Sequence, residues 1–74
     1  NITKIYPVPS ENMVFISSDE VINKVEIYDI LGKSILSIDK NNIKSFSVRS
    51  LNNGIYIVKL SSLNSVETHR IIKK

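Results

Sequence analysis

The apolar residues of this chain recur at period two, in short runs, and nowhere at the 3.6-residue period of an amphipathic helix. No uninterrupted apolar run exceeds four residues, the length of Ile55 to Val58. Polar clusters of Asn, Asp, Ser and Pro separate the runs at fairly even spacing. The chain has no alanine, the best helix former, and is rich in β-branched Ile and Val. A helical bundle is therefore excluded. The pattern predicts a small antiparallel β-sandwich of the immunoglobulin-like kind, with about seven strands on a short chain for that fold.

The runs place the strands. The first spans Thr3 to Tyr6 and stops at Pro7-Val8-Pro9, since proline donates nothing to a ladder and belongs at an edge or a strand exit. Met13 to Ser18 forms the second, with Val14 and Ile16 on one face. Lys24 to Ile30 forms the third, with Val25 and Ile27 on one face and Lys24, Glu26 and Tyr28 on the other. It leads into Asp29-Ile30-Leu31-Gly32-Lys33, a tight-turn signature. The Asp side chain bonds backbone just ahead of it, and the Gly takes a positive φ. Ser34 to Asp39 then returns as the fourth strand. Ile35, Leu36 and Ile38 do not alternate, so its buried face is left open. After the turn at Lys40-Asn41-Asn42, Ile43 to Arg49 forms the fifth strand, with Phe46 and Val48 on one face.

The stretch Leu51-Asn52-Asn53-Gly54 precedes the strongest alternation in the chain. Asn and Gly tolerate backbone conformations closed to other residues, so Gly54 permits a sharp turn straight into a strand. From there Tyr56, Val58 and Leu60 share one face and Ile55, Ile57 and Lys59 the other, which marks a central strand. Val66 to Lys73 is the last run, with Ile71 and Ile72 on opposite faces. The expected core is Val14, Ile16, Val25, Ile27, Phe46, Val48, Leu51, Tyr56, Val58 and Leu60.

Seventy-four residues make one domain, spanning 1–74. A domain of this size hides only about 60% of its unfolded surface, so its stability is thin. Without cysteine it has no disulfide and no thiolate site. The first residue is not Met and no leader pattern opens the chain, which reads as a segment cut from a longer protein. No run is long enough for a membrane helix. Asn1-Ile2-Thr3 matches the glycosylation sequon, a chance match in an asparagine-rich chain. Net charge is +3, from ten basic and seven acidic residues. The bases are scattered, with only Lys73-Lys74 adjacent, whereas a nucleic-acid site needs a basic stripe with aromatics between the charges. No nucleic-acid partner is expected.

Catalytic chemistry finds no footing. His69 is the only histidine, and without a second His or a Cys it makes neither a metal set nor a nucleophile–base pair. Glu67 and Arg70 beside it read as solvent-facing charges. Asp19-Glu20 sits in a turn with no evident cleft, and an EF-hand loop is absent. Tyr6, Tyr28 and Tyr56 would make a sugar platform only if they shared a face. No cofactor, no metal and no enzymatic activity are expected.

The order of motifs resembles the C-terminal sorting domain of the bacterial type IX secretion (Por) system, type A. That family carries a YPNP-like opening, an iYD-x-x-GK hairpin, an L-x-x-GIY-x-V-K stretch and a basic end. The matching residues are Ile5-Tyr6-Pro7-Val8-Pro9, Ile27-Tyr28-Asp29-Ile30-Leu31-Gly32-Lys33, Leu51 to Lys59, and Lys73-Lys74. Val8 departs from the usual Asn, and Asn52-Asn53 from the commoner pair before Gly54. The resemblance implies an address and no reaction. Such domains guide a cargo, fused on their N-terminal side, through the outer-membrane translocon of Gram-negative Bacteroidota. A surface sortase then removes them. The cargo is released or joined to lipopolysaccharide, so the protein is secreted or held at the cell surface. On this reading Pro7, Pro9, Asp29, Gly32, Gly54, Tyr56, Lys73 and Lys74 are the recognition candidates, and the last strand is an edge where a partner reaches both charge and backbone. The alternative is an immunoglobulin-like or fibronectin-like spacer, or a carbohydrate-binding module, on a surface enzyme.

The far-UV circular dichroism spectrum is expected to show a single β-type minimum. A helix-type double minimum would overturn the fold assignment.

Overall fold

The computed structural model describes residues 3–6 and 12–74; Pro7, Val8 and Pro9 lie outside the described residues. Among the described residues there are seven strands and no helix: β1 (Thr3–Tyr6), β2 (Met13–Ser18), β3 (Ile22–Asp29), β4 (Ser34–Asp39), β5 (Ser45–Ser47), β6 (Gly54–Ser62) and β7 (Val66–Lys73). They form two antiparallel sheets, one in the order β1-β2-β5 and one in the order β4-β3-β6-β7. The protein is a three-plus-four sandwich of the immunoglobulin-like type. The chain changes sheet between β2 and β3, β4 and β5, and β5 and β6.

Alternation decides what faces inward. On β6, Tyr56, Val58 and Leu60 are buried, while Ile55 is exposed and Ile57 and Lys59 are half-buried. Val25 and Ile27 of β3 lie opposite Leu60 and Val58. Val14 and Phe46 meet the same interior from the three-stranded sheet, paired with each other. Of the expected core residues, all are buried except Ile16, which is half-buried and packs against the core. Ile22, Ile43 and Ile71 join it.

Three local devices explain the additions and the ambiguous fourth strand. The β3–β6 register slips between Ile22 and Lys24, an irregularity that turns Ile22 inward although it shares parity with outward Lys24. Ile43 lies ahead of β5, which is shorter than its run. Its N–H donates to the Ile22 carbonyl at 2.7 Å, so the crossing segment stays tied to β3. Asn42, one residue earlier, has φ 53°, a left-handed conformation that Asn accepts. On β4 a bulge sets Leu36 opposite Ile27 and Ser34 opposite Tyr28. Ile35 is left as the extra, exposed residue, and Leu36 and Ile38 pack inward.

The start of β6 is closed by one side chain. The Tyr56 hydroxyl donates to the Asn52 carbonyl at 2.7 Å, folding the ring back over the turn, as the corner tyrosine of immunoglobulin-like sandwiches does. Gly54 sits inside this loop at φ +155°, where L side chains are rarely found. The nearest heavy atom to a Cβ built there is a Tyr56 ring carbon at 4.0 Å, so room is available and backbone conformation is the constraint.

Gly54→Ala is therefore expected to destabilise the domain by about 1–3 kcal/mol through backbone strain alone. A thermal midpoint equal to that of the parent protein would show that the turn relaxes at no cost.

Candidate recognition site

Among the described residues, no group of three or more His, Cys, Asp or Glu side chains could hold a metal ion. Glu67 does not face solvent as expected, and His69 lies on the same side of the strand. Both fall on the inward row of β7, because they share parity with buried Ile71. The Glu67 carboxylate accepts the Thr3 hydroxyl at 2.8 Å and lies 3.5 Å from His69 Nε2, which is buried without a hydrogen-bond partner. Thr3 also meets the Ser18 hydroxyl at 3.1 Å. This polar seam joins the β1 edge of one sheet to the β7 edge of the other. Arg70 is exposed, as expected.

Glu20 does border a cleft, contrary to expectation. About 400 Å³ of open space lies between the β2–β3 turn and the β6–β7 hairpin, lined by Glu20, Val21, Asn23, Ser62, Leu63 and Asn64. Glu20 Oε1 accepts the hydroxyls of Ser62 and Ser65 at 2.6 and 2.7 Å, which ties the two turns together. The three tyrosines share no face. Tyr56 is buried between the sheets. Tyr28 faces outward on the four-stranded sheet and donates to Glu26 at 3.0 Å. That hydrogen bond, with smaller contributions from desolvation and the Glu26 charge, raises the Tyr28 pKa. Tyr6 lies on the outside of the other sheet, stacked on its cross-strand partner Phe15 at 5.8 Å between centroids.

What the geometry does build is a rigid hairpin and an open edge. Gly32 N–H donates to the Asp29 carbonyl and Asp29 N–H to the Lys33 carbonyl, both at 3.0 Å, with Gly32 at φ +87°. This is a three-residue hairpin, a turn followed by a left-handed bulge glycine. The Asp29 carboxylate accepts N–H donors from Leu31 and Lys33, both at 2.9 Å. Asp29 and Gly32 thus shape the turn from within, as Gly54 and Tyr56 shape the start of β6. Pro7 and Pro9 lie outside the described residues.

β7 is an edge of the four-stranded sheet, paired with β6 over all eight of its residues without a slip. Lys74 is exposed beyond it. Lys73 is not: it is 8% exposed and donates to the Lys74 carbonyl at 2.9 Å. It follows Ile71 by two and so points inward, at the register position opposite Gly54. The expected pair of reachable charges is therefore one charge and an open backbone.

The most exposed aliphatic side chains among the described residues escaped the sequence reading. Ile30 and Leu31 occupy the hairpin tip at 71% and 90% exposure, and Leu63 stands 87% exposed at the β6–β7 turn. The signal was present as two adjacent aliphatics inside a turn signature, where polar residues are the rule.

The family described as a secretion system C-terminal sorting domain matches residues 4–74. No curated protein matches the chain.

Asp29→Ala removes both carboxylate bonds of the hairpin. It is expected to cost about 1 kcal/mol in urea denaturation, with Asp29→Asn recovering part of it. Equal midpoints for parent and alanine variant would show that the carboxylate does not hold the turn.

Proposed function

Because the chain belongs to the secretion system C-terminal sorting domain family, we propose that it is the type IX export address of a larger protein in a Gram-negative bacterium of the Bacteroidota. Residues 1–74 act as one unit behind an N-terminal cargo. The outer-membrane translocon receives the folded sandwich, and a surface sortase cuts it from the cargo, which is released or anchored on the cell surface. The chain is substrate in both steps and carries no reaction of its own.

The observation that carries this reading is the family match over nearly the whole chain. The geometry supports it. β7 offers an eight-residue edge whose outer backbone groups take no ladder bond from the described residues, and such edges bind partners by strand addition. Lys74 stands exposed at the end of that edge. Asp29, Gly32, Gly54 and Tyr56 serve the address by fixing the two turns at the same end of the sheet, since Asp29 pairs with Tyr56 and Gly54 with Lys73. The exposed Tyr6–Phe15 stack favours the carbohydrate-binding alternative, yet each ring spends one face on the other.

A fluorescent reporter carrying these residues at its C-terminus, with an N-terminal export signal, is expected to reach the surface or medium of a host with a type IX system. Removal of Lys73-Lys74 is expected to lower export. Retention of the intact fusion in the periplasm would overturn the reading.

A further inference from the structure

We infer that Ile30 and Leu31, at the tip of the β3–β4 hairpin, are the side chains that seat this domain in an apolar, acidic-lipped pocket on a protein of the export machinery; the inference rests on the type IX reading.

The turn needs nothing from these two side chains. Its backbone bonds run between Asp29 and Gly32 and between Asp29 and Lys33, the Leu31 and Lys33 N–H groups go to the Asp29 carboxylate, and its left-handed position is Gly32. A type I turn accepts most residues at its two central positions, and polar ones keep a tip soluble. Single exposed aliphatics are ordinary on a surface. Here two stand side by side on a projection that two carboxylate bonds and a hairpin register hold still. A projecting apolar pair of fixed geometry suits insertion into a pocket, because little freedom is lost on seating it.

The charges near the tip select the pocket. Lys33 follows it and is exposed, and Lys74 lies exposed at the same end of the four-stranded sheet. Asp29 spends one carboxylate oxygen on two backbone donors, and Glu26, further down β3, accepts the Tyr28 hydroxyl and lies 4.0 Å from Lys59. Asp29 is half-buried within the turn, so the exposed charges named at this end are the two ammonium groups, and complementarity calls for an acidic lip. The same charge disfavours a second copy of this tip. A lipid surface is also a poor fit, since interfacial binding needs a larger apolar face than two side chains supply.

The test uses the reporter fusion in four forms: intact, Ile30→Ser with Leu31→Ser, Lys33→Glu, and Leu63→Ser. The last removes an equally exposed aliphatic at the opposite end. All four are expected to melt alike, because the altered side chains are exposed. Export of the double variant is expected to fall about tenfold or more, with a smaller fall for Lys33→Glu and none for Leu63→Ser. Normal export of the double variant beside normal export of the intact fusion would overturn this inference and leave the type IX reading standing. Retention of the intact fusion would overturn both. An equal loss with Leu63→Ser, or a lowered melting point in the double variant, would show a general surface or folding effect and overturn the pocket. The purified fusion is also mixed with phosphatidylglycerol–phosphatidylethanolamine vesicles. Binding that the double variant abolishes would make the tip a lipid anchor and overturn the protein pocket.

Discussion

The pairing of β3 with β6 carries the structure. Val25 and Ile27 face Leu60 and Val58 across that ladder, and all four are essentially inaccessible to water. These two strands are the only inner strands of the four-stranded sheet. β4 and β7 are added to them on either side, and the three-stranded sheet closes over their shared face through Val14 and Phe46. Cross-strand aliphatic pairs are the unit of sheet stability. In a domain this small, one such ladder accounts for much of the available core.

Everything offered outward depends on how the ends of those two strands are finished. At one end, Asp29 and Gly32 turn β3 into β4, while Tyr56 and Gly54 turn the incoming chain into β6. At the other, Glu20 and the hydroxyls of Ser62 and Ser65 fasten the β2–β3 turn to the β6–β7 turn. Both ends are held by side chain to backbone or side chain to side chain bonds, with the apolar core between them. The family motifs Tyr28-Asp29-x-x-Gly32-Lys33 and Gly54-Ile55-Tyr56 fall on the first end. Asp29, Gly32, Gly54 and Tyr56 shape the two turns there, and Ile30 and Leu31 stand exposed between the first two.

Much of this was legible in the sequence, because burial on one face imposes period two, and period two is visible without a structure. Val25, Ile27, Tyr56, Val58 and Leu60 follow from alternation alone. What was not legible lies where alternation breaks. Ile22 has the parity of a surface residue and is buried because an irregularity before Lys24 rotates the strand. Ile35 is exposed because a bulge in the hairpin spends one residue. Ile43 is buried outside any strand, in a crossing whose geometry depends on contacts distant in sequence. Lys73 reads as a solvated terminal charge, yet the parity of β7 turns it inward. At the hairpin, the sequence marked Asp29 and Gly32, which shape the turn, and passed over Ile30 and Leu31, which the turn exposes.

The inward row of β7 reads Glu67, His69, Ile71, Lys73, so three of its four side chains are polar although they face the interior. Any strand laid beside β7 must set its own inward row against them. An apolar row there would take water from the Glu67 carboxylate and the Lys73 ammonium and offer them no new polar partner, a desolvation cost set against the new backbone bonds. The long edge is therefore selective about chemistry as well as shape. Strands with an apolar inward row are disfavoured there. A strand bearing matching polar groups fits the row, and inward-pointing charges of this kind are one device that blunts indiscriminate pairing at a sheet edge.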